Sequence, residues 1–192
     1  MNVLEREETD GRRRRSLDSR ARIVSAMLQL TRETAVVPSA EQVAARAGVG
    51  LRTVFRHFQD MDSLYSEIAR PFEAELRAWS QRPFKGATWQ ERVLELIARR
   101  SAAFEIVAPF RRASDALRHN SAVLQAEHAT LTTILRAILR GLIPKGAVDS
   151  ATFEALDLLL GYEAWSRLRR EQGLSPAQAR KTLQVAVRAL IG

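Results

Sequence analysis

The chain has 192 residues, no cysteine and a formal net charge of +8. A chain of this length buries roughly two-thirds of its unfolded surface, so it needs no disulfide or metal staple. Without cysteine, disulfides, thiolate metal sites and cysteine nucleophiles are all excluded. Arg makes up 27 of the 30 cationic residues. That bias suits phosphate or carboxylate partners, which guanidinium grips in bidentate fashion, and equally fits a GC-rich coding sequence. No uncharged apolar run approaches the roughly 18–20 residues that span a bilayer. Residues 1–10 are polar and acidic, with no apolar region of a secretory signal. A cytoplasmic chain without a membrane partner is expected. Nine glycines, six prolines and little alternation of β-branched with polar residues predict an all-α fold of about nine helices.

Residues 1–16 are almost devoid of apolar side chains and hold the run Arg12, Arg13, Arg14, Arg15. They read as a disordered basic arm, either a solvated tail or a DNA contact. A first helix is expected from about Asp18 to Arg32, with Ile23, Met27 and Leu30 on one face and Val24, Leu28 and Thr31 beside it. Ser39 and Gln42 form a capping box opening a second helix, Ala40 to Ala47, which stops at Gly48. A third helix covers Leu51 to Phe58, and Asp60 caps a fourth that Pro71 should kink or break.

Beyond a loop at residues 83–86, Thr88 and Glu91 cap a fifth helix. Ala108 and Pro109 suggest a break before a short sixth. Ser121 caps a seventh that ends near Leu142, and Ser150 an eighth that ends at Gly173. Ser175, Pro176 and Gln178 supply N-cap, N1 proline and N3 glutamine for a ninth.

Two short helices joined through Gly48 make a helix-turn-helix, which places its second helix in the DNA major groove. Glycine at the joint supplies the left-handed residue such a turn needs, and small Ala44 and Ala47 allow close approach. On the third helix Leu51, Val54, Phe55 and Phe58 follow core spacing. Arg52, Thr53, Arg56 and His57 would then project outward as donors to bases or phosphates. From residue 12 to 58 there are ten Arg against Asp18, Glu33 and Glu41, so positive charge gathers where the groove-reading helix lies.

The run Glu41-Gln-Val-Ala-Ala-Arg-Ala-Gly-Val-Gly-Leu-Arg-Thr-Val-Phe-Arg-His-Phe58, followed by a polar cap and Leu64, resembles the tetracycline-repressor (TetR) family of bacterial regulators. The likeness is specific over residues 20–64 and weaker over the whole chain, including Leu158 to Ser175. It implies an N-terminal DNA-binding unit, here residues 17–66, on a helical body, residues 67–192, that dimerises and binds an effector. By position Thr53, Phe55, His57 and Phe58 stand where the family has Thr, Tyr, His and Phe. Three departures are Phe55, without the tyrosine hydroxyl that donates to phosphate, Met61 in place of a lysine, and Thr34 in place of a glycine. The expected DNA-contact set is Ser39, Gly50, Arg52, Thr53, Phe55, Arg56 and His57.

For the body, polar groups on apolar stripes mark a candidate effector site: Ser101, Phe104, His128, Thr132, Asp157 and Tyr162. Ser101 and His128 read more simply as satisfied core residues than as ligand contacts. Few aromatics and a cationic chain favour a small hydrophobic or aromatic effector. A homodimer interface is expected from Phe153, Leu156, Leu160, Ala164 and Leu168 of the eighth helix with Ala179, Leu183, Ala186 and Leu190 of the ninth. The alternative is that both helices only cover their own chain. Trp79, Trp89 and Trp165 read as packing or interface residues. His57, His119 and His128 lack metal-ligand spacing, and neither Gly-x-Ser-x-Gly nor a P-loop occurs. The sequence therefore points to a transcription regulator needing no cofactor, bound to double-stranded operator DNA, most simply a repressor released by its effector. An effector-independent architectural DNA binder and an all-helical enzyme are the alternatives.

Overall fold

The computed structural model describes residues 3–68, 78 and 82–192, with side chains from residue 13 onward except that of Leu117. All regular structure among them is helical: α1 (Val3–Thr34), α2 (Ala40–Ala47), α3 (Leu51–His57), the helical residues 61–68 (α4), α5 (Trp89–Leu117), α6 (Ala122–Leu142), α7 (Ser150–Leu159), α8 (Tyr162–Ser166) and α9 (Pro176–Ile191). Pro71 and Trp79 lie outside the described residues.

Local chemistry explains most helix ends. Ser39 Oγ accepts from Gln42 N at 3.3 Å while Gln42 Oε1 accepts from Ser39 N at 2.8 Å, so two orphan donors are satisfied reciprocally. Gly48 closes α2 at φ 63°. Asp60 Oδ1 accepts from Ser63 N at 2.7 Å, Thr88 Oγ1 from Glu91 N at 3.2 Å and Ser121 Oγ from Leu124 N at 3.2 Å. The Ser175–Gln178 box, with Pro176 at the first position, opens α9.

Four expectations are corrected. Residues 3–16 are not a disordered arm but the first turns of α1. Arg and Glu are good helix formers, and acids precede bases along this stretch, the order the helix dipole favours. Pro109 does not end a helix: α5 runs through it, losing only the hydrogen bond a proline lacks. The cap of α7 is Asp149, whose Oδ1 accepts from Thr152 N at 2.7 Å, with Ser150 already helical. Finally, Ser150 to Gly173 is not one helix. Leu160 (φ −89°, ψ 3°) and extended Gly161 interrupt it, and the π-helical turn Arg167–Glu171 follows α8.

The described residues form two compact units. The first holds residues 3–68 with Pro109–Gln125; the second holds residues 82–108 with Ala126–Gly192. The expected body, 67–192, is therefore not one block, because Pro109–Gln125 belongs with the N-terminal unit. The first core comprises Ile23, Met27, Val43, Val54, Phe58, Leu64 and Ile68, joined by Phe110, Ala113 and Leu124. Tyr65 Oη donates to the Phe110 carbonyl, and Ser121 Oγ to Asp62 at 2.5 Å, fixing the later segment to α4. The second core is larger and more aromatic, built on Ile97, Phe104, Phe153, Leu156, Tyr162, Trp165, Leu183 and Val187.

Candidate nucleic-acid interface

The turn between α2 and α3 is set by backbone geometry. Gly48 in the left-handed region returns hydrogen bonds to Ala44 and Ala45, and Val49 N donates to the Ala44 carbonyl at 3.0 Å. Buried Ala44 and Ala47 let the second helix pass close by. Arg20 then locks α3 from α1: its guanidinium donates to the His57 carbonyl at 3.1 Å, pairs with Glu67 at 3.0 Å and lies 4.4 Å over the Phe58 ring. Sequence reasoning missed this role, because Arg20 contacts residues far along the chain.

α3 has only seven residues and packs on α1 and α2. Val54 and Phe58 are buried, whereas Leu51 is 38% and Phe55 47% exposed. The expectation that all four face the core is thus corrected: two flanking helices cover only one side of so short a helix. Gly50, Leu51, Arg52, Phe55 and Arg56 form the exposed face, and Thr53 is half-buried at its margin.

His57, expected to project outward, is half-buried. Its Nε2 is enclosed without a hydrogen-bond partner. Burial, then the charges of Arg56 and Arg20, push its pKa below the ordinary histidine value, so the ring is neutral at pH 7. Ser39 Oγ is already engaged in its capping box.

Charge on this unit is unevenly compensated. Arg46 makes a bidentate pair with Glu33 at 2.9 and 2.8 Å, whose hydrogen bonds hold the Glu33 carboxyl below its usual pKa. Arg22 pairs with Asp18 at 3.6 Å. Arg52 and Arg56 are exposed and have no acidic partner among the described residues. Arg13, Arg14 and Arg15 are also exposed, on α1.

In the second unit most of the candidate effector residues already hold partners within the chain. Phe104 and Tyr162 meet edge to face at 5.6 Å, and Tyr162 Oη donates to the Ala108 carbonyl at 3.3 Å. Ser101 Oγ donates to Ala98 of its own helix at 3.0 Å. Thr132 is exposed and bonds the His128 carbonyl at 2.9 Å, so it lines no interior. Asp157 pairs with Arg136 at 2.7 Å, and His128 is half-buried. What the sequence reading missed is Arg100, 4% exposed. Its guanidinium donates to the carbonyls of Leu160 at 2.8 Å and Leu135 at 2.5 Å, and burial lowers its pKa to about 10. A cation on the stripe Val93, Ile97, Arg100, Phe104 was the available signal.

The expected dimer seam also changes. Phe153, Leu156, Leu160, Leu168, Ala179 and Leu183 are buried within a single chain, and Ala164, Ala186 and Leu190 are half-buried. An apolar stripe reports burial, not the partner that provides it. The large apolar residues of α7 and α9 that face outward are instead Leu158, 70% exposed, and Val185, 62% exposed.

No family model and no curated protein matches the sequence. Solved structures do resemble it. One, described as a TetR-family transcriptional regulator from Mesorhizobium loti MAFF303099, aligns with a TM-score of 0.56 at 18% identity over 92% of this chain and 96% of that one. Another, a transcriptional regulator from Rhodococcus sp. Rha1, aligns with a TM-score of 0.57 at 20% identity over 90% of this chain and 95% of that one. The helix-turn-helix unit and the helical body thus sit in an all-α chain that shares the fold of these two regulators.

Proposed function

We propose that this chain is a cytoplasmic, DNA-binding transcription regulator that acts as a homodimeric repressor and is released from its operator by a small hydrophobic or aromatic effector. The observation that carries the DNA-binding part is the pair Arg52 and Arg56, exposed on the second helix of a helix-turn-helix without acidic partners among the described residues. Arginine so placed can grip guanine O6 and N7 or a phosphate. Thr53 at the margin and Gly50 at the helix start complete the contact set, Ser39 serves through its cap, and His57 acts by seating α3. Arg13, Arg14 and Arg15 add sequence-independent attraction to phosphates.

Two such helices must stand about 34–36 Å apart to enter successive major grooves, so a second copy is required. Leu158 and Val185, on two helices that pack together, are the surface we assign to that contact. Light scattering should then give twice 21.6 kDa, and Leu158→Glu with Val185→Glu should give the single-chain mass. An effector that prefers one spacing of the two reading heads lowers DNA affinity, and DNA lowers effector affinity by the same factor. The aromatic interior around Phe104 and Tyr162 suits an apolar effector, with His128 retained as a polar contact. His128→Leu should leave operator binding intact and impair release by the apolar compound that a ligand screen returns.

The test of DNA binding is selection from a random duplex pool. A single operator motif is expected, with Arg52→Ala or Arg56→Ala costing about 1–3 kcal/mol for each bidentate grip on a base that it removes. Wild-type affinity in both variants would overturn the assignment.

A further inference from the structure

Leu51 and Phe55 stand one helical turn apart, and Arg52 and Arg56 stand one turn apart beside them on the same exposed face of α3. Scattered exposed apolar side chains are ordinary. A Leu–Phe pair set beside two exposed arginines that have no acidic partner among the described residues is a different arrangement. The arginines account for guanine or phosphate contacts, but neither Leu51 nor Phe55 has a polar atom to donate, and a phenyl ring cannot bond a phosphate. The major groove offers one apolar group on its base edges, the 5-methyl of thymine. We propose, resting on the DNA-binding reading above, that Leu51 and Phe55 are specificity-determining residues that read thymine methyl groups flanking the bases gripped by Arg52 and Arg56. The positive charge beside them brings the face against DNA, and desolvation of the two side chains against methyl groups then favours T over C at those steps.

The experiment uses the full chain and the operator obtained by selection, with each deoxythymidine replaced in turn by deoxyuridine. That exchange deletes the methyl group and keeps every hydrogen-bonding atom. At one or two positions wild-type affinity should fall about three- to fivefold, the size expected when one methyl-sized group leaves an apolar contact. Phe55→Ala and Leu51→Ala should bind the thymidine operator more weakly and each lose the uridine penalty at its own position. Arg52→Ala should keep that penalty. Uridine without effect at every position, or a penalty that survives both substitutions, overturns the proposal while leaving DNA binding by α3 intact. So does an unchanged penalty combined with altered self-association of the DNA-free variants, which would make the face a protein contact. Failure to select any operator would remove the DNA-binding reading and this inference together.

Discussion

The two units solve the problem of placing charge in opposite ways. In the first, a small core rich in alanine holds α2 and α3 close, and the arginines of those two helices stay at the surface. Arg20, Arg22 and Arg46 are tied to acids, while Arg52 and Arg56 have none among the described residues. In the second, a large aromatic core surrounds a cation, Arg100, whose charge is balanced by two backbone carbonyls and the field of Asp157 rather than by a direct carboxylate contact. One unit spends its sequence on local turn chemistry and an outward face. The other spends it on volume and burial. Single substitutions should therefore act by different mechanisms in the two.

The largest effect is expected in the second unit. Trp165 is 1% exposed and its Nε1 donates to Glu105 at 2.9 Å, so Trp165→Ala should destabilise by about 3–5 kcal/mol through lost burial and a cavity. Urea unfolding followed by a probe in that unit checks it, and a loss below about 1 kcal/mol would show that this core is loosely packed.

In the first unit backbone conformation dominates, and two residues should respond with opposite sign. Gly48 lies at φ 63°, and a Cβ there would meet nothing closer than Arg22 at 3.8 Å. Gly48→Ala should therefore cost about 1–2 kcal/mol from left-handed strain alone. Ala35 already bears such strain at φ 53°. Ala35→Gly should raise stability by about 0.5–1 kcal/mol, the relief being partly offset by the greater freedom of glycine in the unfolded chain. Paired thermal melts of the two variants measure both.

The smallest effect is a pH slope. The folded pKa of His57 lies below its unfolded value, so between the two the unfolded chain binds more protons. The contribution is fully present above about pH 6.5 and is lost as pH falls through the folded pKa. Stability of the wild type should decline with acid in that window, and His57→Gln should flatten the slope.

The same contrast explains what could be read from the sequence. Ser39 with Gln42, Gly48, Asp60, and Ser175 with Pro176 and Gln178 were legible because each acts on residues within a few positions of itself. Residues whose partners lie far along the chain were not. Periodicity marked Leu51 and Phe55 as apolar positions of α3, but only tertiary packing decides that α1 and α2 cover Val54 and Phe58 alone. Periodicity equally marked Phe153, Leu156 and Leu160, and could not say that the covering surface is their own chain. Arg20 carries no local signature and Arg100 only that of a cation on an apolar stripe, since their acceptors, the carbonyls of His57 and Leu160, come from distant elements. Pro109 shows a related effect: a proline costs a helix one bond, and the neighbouring turns of α5 carry it.

The central claim is that Arg52 and Arg56 grip operator DNA. It is tested most directly by measuring affinity for the selected operator as a function of salt, in the wild type and in Arg52→Ala, Arg56→Ala and the double variant. The expected result is a steep fall of affinity with salt in the wild type. Each substitution should either relax preference at one base pair or, where the arginine holds a phosphate, flatten the slope by about one unit of log affinity per log salt. Affinity, base preference and salt slope all unchanged in the double variant would contradict it.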